Sequence, residues 1–150
     1  LEKADGSGNV SYDTANHERM VRLRAAKVDG IARRLPALEV DDETGGADVL
    51  VLGWGSTYGA IVAGVRRVRA RGLRVAHAHL VHLNPFPPNL GEVLSRYPTV
   101  LVPEANLGQL SRLVRAEFLV DARSLTKVQG VPFRAAEIES AIVTLLGGDR

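Results

Sequence analysis

The chain has 150 residues, 45% of them hydrophobic and 24% charged, with a formal net charge of +2. That is ordinary composition for one globular domain with a real core, and the near balance of charge argues against a polybasic nucleic-acid binder. There is no cysteine, which excludes disulfides, thiolate nucleophiles and cysteine-held zinc or iron–sulfur clusters on this chain, and no apolar run reaches the roughly 18 residues that span a membrane.

In chain order, Leu1 to Tyr12 is polar and glycine-bearing and reads as loose. The chain opens on Leu1 rather than Met, so it reads as a piece of a longer polypeptide. Asp13 is placed to cap a helix running to about Arg34, with an apolar stripe of Val21, Ala25, Val28, Ala32 and Leu35. Pro36 ends it. Leu38 to Val40 suits a short edge strand that, with no crossover helix after it, is free to run antiparallel. The turn-rich DDETGG follows.

A regular alternation then begins. Strand 48–52 leads into helix 59–71, which Gly72 stops, and strand 73–81 carries histidines. The proline-rich HLNPFPPN forms a rigid loop. Helix 89–97, strand 99–103, helix 107–119, a short strand near 123–128 and a last helix at about 134–146 complete the chain. Leu107, Leu110, Val114 and Phe118 make the apolar side of helix 107–119. Strands and helices at this spacing predict a three-layer α/β/α domain with a mainly parallel sheet of about five strands. The expected division is a linker and helix over 1–36 and the α/β domain over 37–150.

The most informative stretch is ADVLVLGWGSTYGA, residues 47–60. A buried strand enters a turn holding Gly53, Trp54, Gly55, Ser56, Thr57 and Tyr58, and a helix starts near Gly59. Such a turn faces the carboxyl edge of a parallel sheet, where α/β proteins place ligands or partner surfaces, and a helix start there favours an anion. The glycines are spaced G-x-G-x-x-x-G and no Asp or Glu follows on the next strand. That spacing argues against a dinucleotide fingerprint, and no G-K-[S/T] makes it a phosphate loop. Ser56 sits outside any G-x-S-x-G elbow. Close packing alone also explains the glycines.

Arg66, Arg67, Arg69, Arg71 and Arg74 cluster on the following helix and its end. A solvated face is the expected reading, with an acidic or phosphorylated partner as the alternative. No aromatic residues interleave with them, so no stacking platform for nucleic acid is expected. His77 and His79 share one face of a strand, with His82 in the loop beyond. Glu104 is the nearby third ligand a metal would need, but His-x-His is a weak signal. The competing expectation is one histidine packed in the core with a hydrogen-bond partner. Glu104, Asn106 and Gln109 should meet Trp54–Tyr58 and His82–Asn84 at one sheet edge. They serve there either as a recognition surface or as helix caps, with Asn106 as N-cap and Glu104 satisfied by loop amides.

GWGSTYGAI, HAHLVHLNPFP, VLVPEANLGQLSRLVRAEFLVD and KVQGVPF, in that order, resemble the C-terminal part of the α subunit of 2-oxoacid:ferredoxin oxidoreductases, nearest to the 2-oxoglutarate type. GNVSYDTANHERMVRLRAAKV resembles the family segment that joins the thiamine-pyrimidine domain to this one. The resemblance runs from about Gly8 to Leu146. It implies a fold similar to the C-terminal domain of transketolase. It implies a parent enzyme that converts a 2-oxoacid and coenzyme A to acyl-CoA, carbon dioxide and reduced ferredoxin. Thiamine diphosphate with magnesium and a [4Fe–4S] cluster on a β subunit would serve that reaction. The partners implied are the other α domains, the β subunit and ferredoxin, in the cytoplasm, with no nucleic acid and no membrane.

On this resemblance the chain is a structural, docking domain that is inactive alone, with no catalytic residue, no metal and no cofactor of its own. The loops Trp54–Tyr58, His79–Asn84 and Glu104–Gln109 are the expected contact. A transketolase or 2-oxoacid dehydrogenase C-terminal domain is the nearest alternative. A free-standing anion- or nucleotide-binding module built on Gly53–Gly59 is the alternative from another class.

Overall fold

The computed structural model describes residues 1–147. The last positions of the expected α/β domain, 148–150, lie outside the described residues. The chain divides into two compact units. One is Leu1–Pro36 with His82–Pro88, the other Ala37–Val81 with the chain from Asn89 onward.

In the first unit, β1 (Glu2–Lys3) pairs antiparallel with β2 (Val10–Ser11). The expectation of a loose segment is therefore corrected. The turn closes on itself through Gly8 N–H to Ala4 O at 3.0 Å and Ala4 N–H to Asn9 O at 2.7 Å. Strands of two residues carry no readable alternation. Asp13 caps α1 (Thr14–Ile31), accepting from the amides of Ala15 and Asn16. A 3-10 turn continues to Arg34. The apolar stripe lies on the expected helix but is not buried: no residue of α1 is buried, and Val21 is exposed. Arg24 to Glu2 and Asn16 to Lys3 O tie helix to hairpin.

The second unit is built on a five-stranded sheet in the order β3-β5-β4-β6-β7. These are β3 (Val40–Asp41), β4 (Val49–Trp54), β5 (Val75–Leu80), β6 (Thr99–Glu104) and β7 (Ala122–Thr126). The last four run parallel, and β3 is an antiparallel edge on β5, as the missing crossover allowed. The helices are α2 (Tyr58–Ala70), α3 (Leu90–Ser95), α4 (Gln109–Phe118) and α5 (Ala135–Leu145).

Val49, Val51, Val75 and Leu101 on one sheet face meet Ile61, Val65 and Val68 of α2 and Ile138 and Ile142 of α5. Each such side chain contributes about 1.5–3 kcal/mol on burial. Gly64 lets α2 and α5 close together, since a Cβ there would lie 2.7 Å from Cβ of Ile138. On α4, Phe118 reaches Gly91 of α3.

Two sequence expectations are corrected in this unit. Leu107 precedes α4 and is exposed, because the amides of Leu110 and Ser111 are held from Glu104 and fix the helix start after it. Arg69 is not solvated. It lies against the β3 edge, donating to Asp41, Glu43 and the carbonyl of Val75. Arg74 pairs with Asp48 at 2.8 Å, and Arg67 and Arg71 stand 3.7 and 3.6 Å from Glu139. This cluster is engaged largely within its own unit.

Candidate functional site

Because β5, β4, β6 and β7 are parallel, their carboxyl ends share one edge of the sheet. β4 runs two residues into the glycine turn, so Trp54 closes the strand. Gly55, Ser56 and Thr57 form a 3-10 turn, and α2 starts at Tyr58. Gly55 has φ +57, which favours glycine. Thr57 Oγ1 donates to Trp54 O at 2.8 Å and accepts from Trp54 N–H at 3.3 Å. Ser56 is exposed, and α2 has no side-chain cap.

Gly53 is needed for space. A Cβ there would lie 2.6 Å from Cδ1 of Ile61 and 2.8 Å from Nδ1 of His79. His79 and His77 lie under Tyr58, with ring centroids 5.0 and 5.7 Å from it. His77 is buried, yet its Nε2 has no hydrogen-bond partner. The partner expected for a core histidine is therefore missing. His79 Nδ1 and Trp54 Nε1 are likewise buried and unpaired.

Burial, then the neighbouring His79 and Arg69, push the His77 pKa down to about 4, with Asp41 opposing. Burial also lowers that of His79, against a bond to the Gly55 backbone. Both rings are neutral at neutral pH.

The β6–α4 loop is built differently. Glu104 is fully buried, and its two oxygens accept from Leu110 N–H at 2.8 Å and Ser111 N–H at 3.0 Å. Asn106 Nδ2 donates to Glu104 Oε1 at 3.2 Å. Asn106 Oδ1 accepts from the amides of Gly108 and Gln109 at 2.7 and 3.2 Å. The side chains of Glu104 and Asn106 thus close the start of α4 themselves. The Gln109 side chain is exposed.

Trp54–Tyr58, His79 and Glu104–Gln109 belong to the sheet unit, whereas His82 and Asn84 fall in the other compact unit. Sequence reading missed Lys127. This buried ammonium donates to both oxygens of Glu137 and to Pro132 O, and sits 5.7 Å from the Phe133 ring. Its alternation with polar neighbours gave no sign of burial.

No family model matches the chain. It is 59% identical over 148 residues to the 2-oxoglutarate oxidoreductase subunit KorA of Mycobacterium tuberculosis, covering 99% of this chain and 22% of that protein. It superposes with a TM-score of 0.86 and 32% identity on a 2-oxoglutarate:ferredoxin oxidoreductase from Magnetococcus marinus, over 95% of this chain and 25% of that one. The chain is homologous to one segment of the 2-oxoacid:ferredoxin oxidoreductase α subunit.

A split-gene transketolase matches with a TM-score of 0.57 at 16% identity, over 75% of this chain and 42% of that one, a likeness of fold. The chain thus has the expected transketolase C-terminal-like α/β fold. It spans about a quarter of the length of the oxidoreductase chains it matches.

The solved relative holds 2-oxoglutarate, coenzyme A and succinyl-CoA. Among the described residues of the segment, no group of three or more His, Cys, Asp or Glu could hold a metal. With no cysteine, the chain does not fit an iron–sulfur cluster. Among the described residues no helix is long and apolar enough to cross a membrane.

Proposed function

We propose that the chain is the transketolase C-terminal-like domain, over 37–150, and the preceding linker and helix, over 1–36, of a 2-oxoglutarate-type 2-oxoacid:ferredoxin oxidoreductase α subunit. The complete enzyme, in the cytoplasm, uses thiamine diphosphate, magnesium and a [4Fe–4S] cluster held by a β subunit. It oxidatively decarboxylates the 2-oxoacid, forms acyl-CoA from coenzyme A, and passes the electrons one at a time to ferredoxin. The observation that carries this reading is 59% identity over 99% of the chain to a 2-oxoglutarate oxidoreductase subunit.

In this reading the segment performs no chemical step. It docks against the remaining α domains through Trp54–Tyr58, His79–Asn84 and Glu104–Gln109, and is inactive alone. Glu104 supports the docking role indirectly: a carboxylate committed to two backbone amides is unavailable as a general base.

The test is co-purification of the full-length α subunit with its partner chain. Thiamine, iron and CoA-dependent reduction of a viologen dye by 2-oxoglutarate are then measured. Activity that needs both chains is expected. A complex with neither thiamine nor iron, and no activity, would sink the reading.

A further inference from the structure

Three loops leave the carboxyl edge of the sheet within the second unit: 55–57 after β4, 105–108 after β6 and 127–134 after β7. Only Lys127 and Arg134 among their residues are charged, in a chain whose residues are 24% charged. Lys127, like Glu104 just before the second loop, is buried and consumed by internal bonds, and Arg134 is exposed. The same edge exposes Tyr58, Leu107, Val128 and Val131, together with Val81 just past β5, each between 53% and 79% accessible. Water-facing loops normally carry charge, and large apolar groups gathered at one edge mark a surface that another molecule covers.

The geometry points to this edge as a docking surface for a largely apolar polypeptide face contributed by the rest of the same α chain. This rests on the reading of the segment as part of an α subunit and gives that contact its chemistry. The choice of occupant follows from two observations. The related α subunit is mostly polypeptide outside the matched segment, which covers 22% of it. Among these loops Arg134 is the one exposed charge, so the exposed apolar side chains, not a set of cations, define what the surface complements. Val128 and Val131 thereby join the contact, and the polar candidates Glu104 and Asn106 drop out of it as groups that hold α4.

The test uses the full-length α subunit assembled with its partner chain. Leu107→Cys and Val131→Cys are compared with Leu113→Cys, an exposed position on the outer side of α4, by alkylation rate read peptide by peptide. Leu107→Cys and Val131→Cys should react roughly tenfold or more slowly than Leu113→Cys. Equal rates would show an open edge and overturn the proposal. Protection lost on dilution, as the assembly dissociates, would assign the edge to another subunit and overturn it too. Protection that appears only with added coenzyme A would assign it to a small ligand, with the same result. An assembly without thiamine-dependent activity but with the protection intact would sink the enzymatic reading and leave the docking surface standing.

Discussion

Two turns of the same kind sit on the same sheet edge and are finished in opposite ways. At the start of α4 the chain supplies its own anion. Glu104 caps the amides of Leu110 and Ser111, and Asn106 takes those of Gly108 and Gln109. At the start of α2 there is no side-chain cap, and the buried nitrogens nearby, on Trp54, His77 and His79, are unpaired. The first turn is complete as it stands, held by charge-assisted bonds. The second is held by close packing around Gly53 and by the His77 and His79 rings that meet Tyr58 tilted and edge-on. A helix start in an α/β protein is therefore not in itself a vacancy for a ligand; what matters is whether the chain has already filled it.

The largest effect should come from emptying the filled turn. Glu104→Ala strands two buried amides and removes the charge that they held, which should cost about 4 kcal/mol in urea unfolding. A loss below about 1 kcal/mol would mean that water replaces the carboxylate and that the turn is not self-contained.

The second effect belongs to the α2 turn and is read with pH. Folded, His77 stays neutral down to about pH 4, against 6.5 for the unperturbed group. Between those values the unfolded chain binds more protons, so stability falls as the pH drops from 6.5 to 4 and loses nothing further from this group below that. The full change is at most about 3 kcal/mol. His79, lowered in the same direction, adds to it. Urea midpoints measured across that window should slope, and His77→Leu should flatten most of the slope. An unchanged slope would show that His77 does not titrate as its burial implies.

The elements of the sheet domain were legible because each has a period: runs such as Val49 to Leu52 for strands and Ile61, Val65 and Val68 for a helix. The antiparallel edge was legible from the missing crossover. The hairpin at Glu2–Ser11 was not, since strands of two residues leave no pattern. The exposure of the α1 stripe was not legible for another reason. Its spacing is helical and the helix is there, but periodicity says which side chains share a face, not what covers the face. At the site, the choice between capping and recognition for Glu104 depended on where the carboxylate reaches. That is a matter of tertiary geometry, invisible in VPEANLG. Arg69 was misread likewise, because its partners Asp41 and Glu43 lie 28 and 26 positions away.

Two smaller substitutions sharpen the contrast between the turns. Gly53→Ala would force its Cβ against Ile61 and the His79 ring, a packing clash worth about 2 kcal/mol, because at 2.6 and 2.8 Å neither neighbour is in ordinary contact range. Asn106→Ala removes only the outer part of the α4 cap and should cost about 1 kcal/mol. Glu104 still holds Leu110 and Ser111 when Asn106 is gone, so the helix start should not move. Unfolding of Asn106→Ala alongside Glu104→Ala and the double variant decides whether these residues act as one unit. Because Asn106 also donates to Glu104, the double variant should lose less than the sum of the two single losses. Strict additivity would mean that the turn is held by two independent caps and not by one closed network.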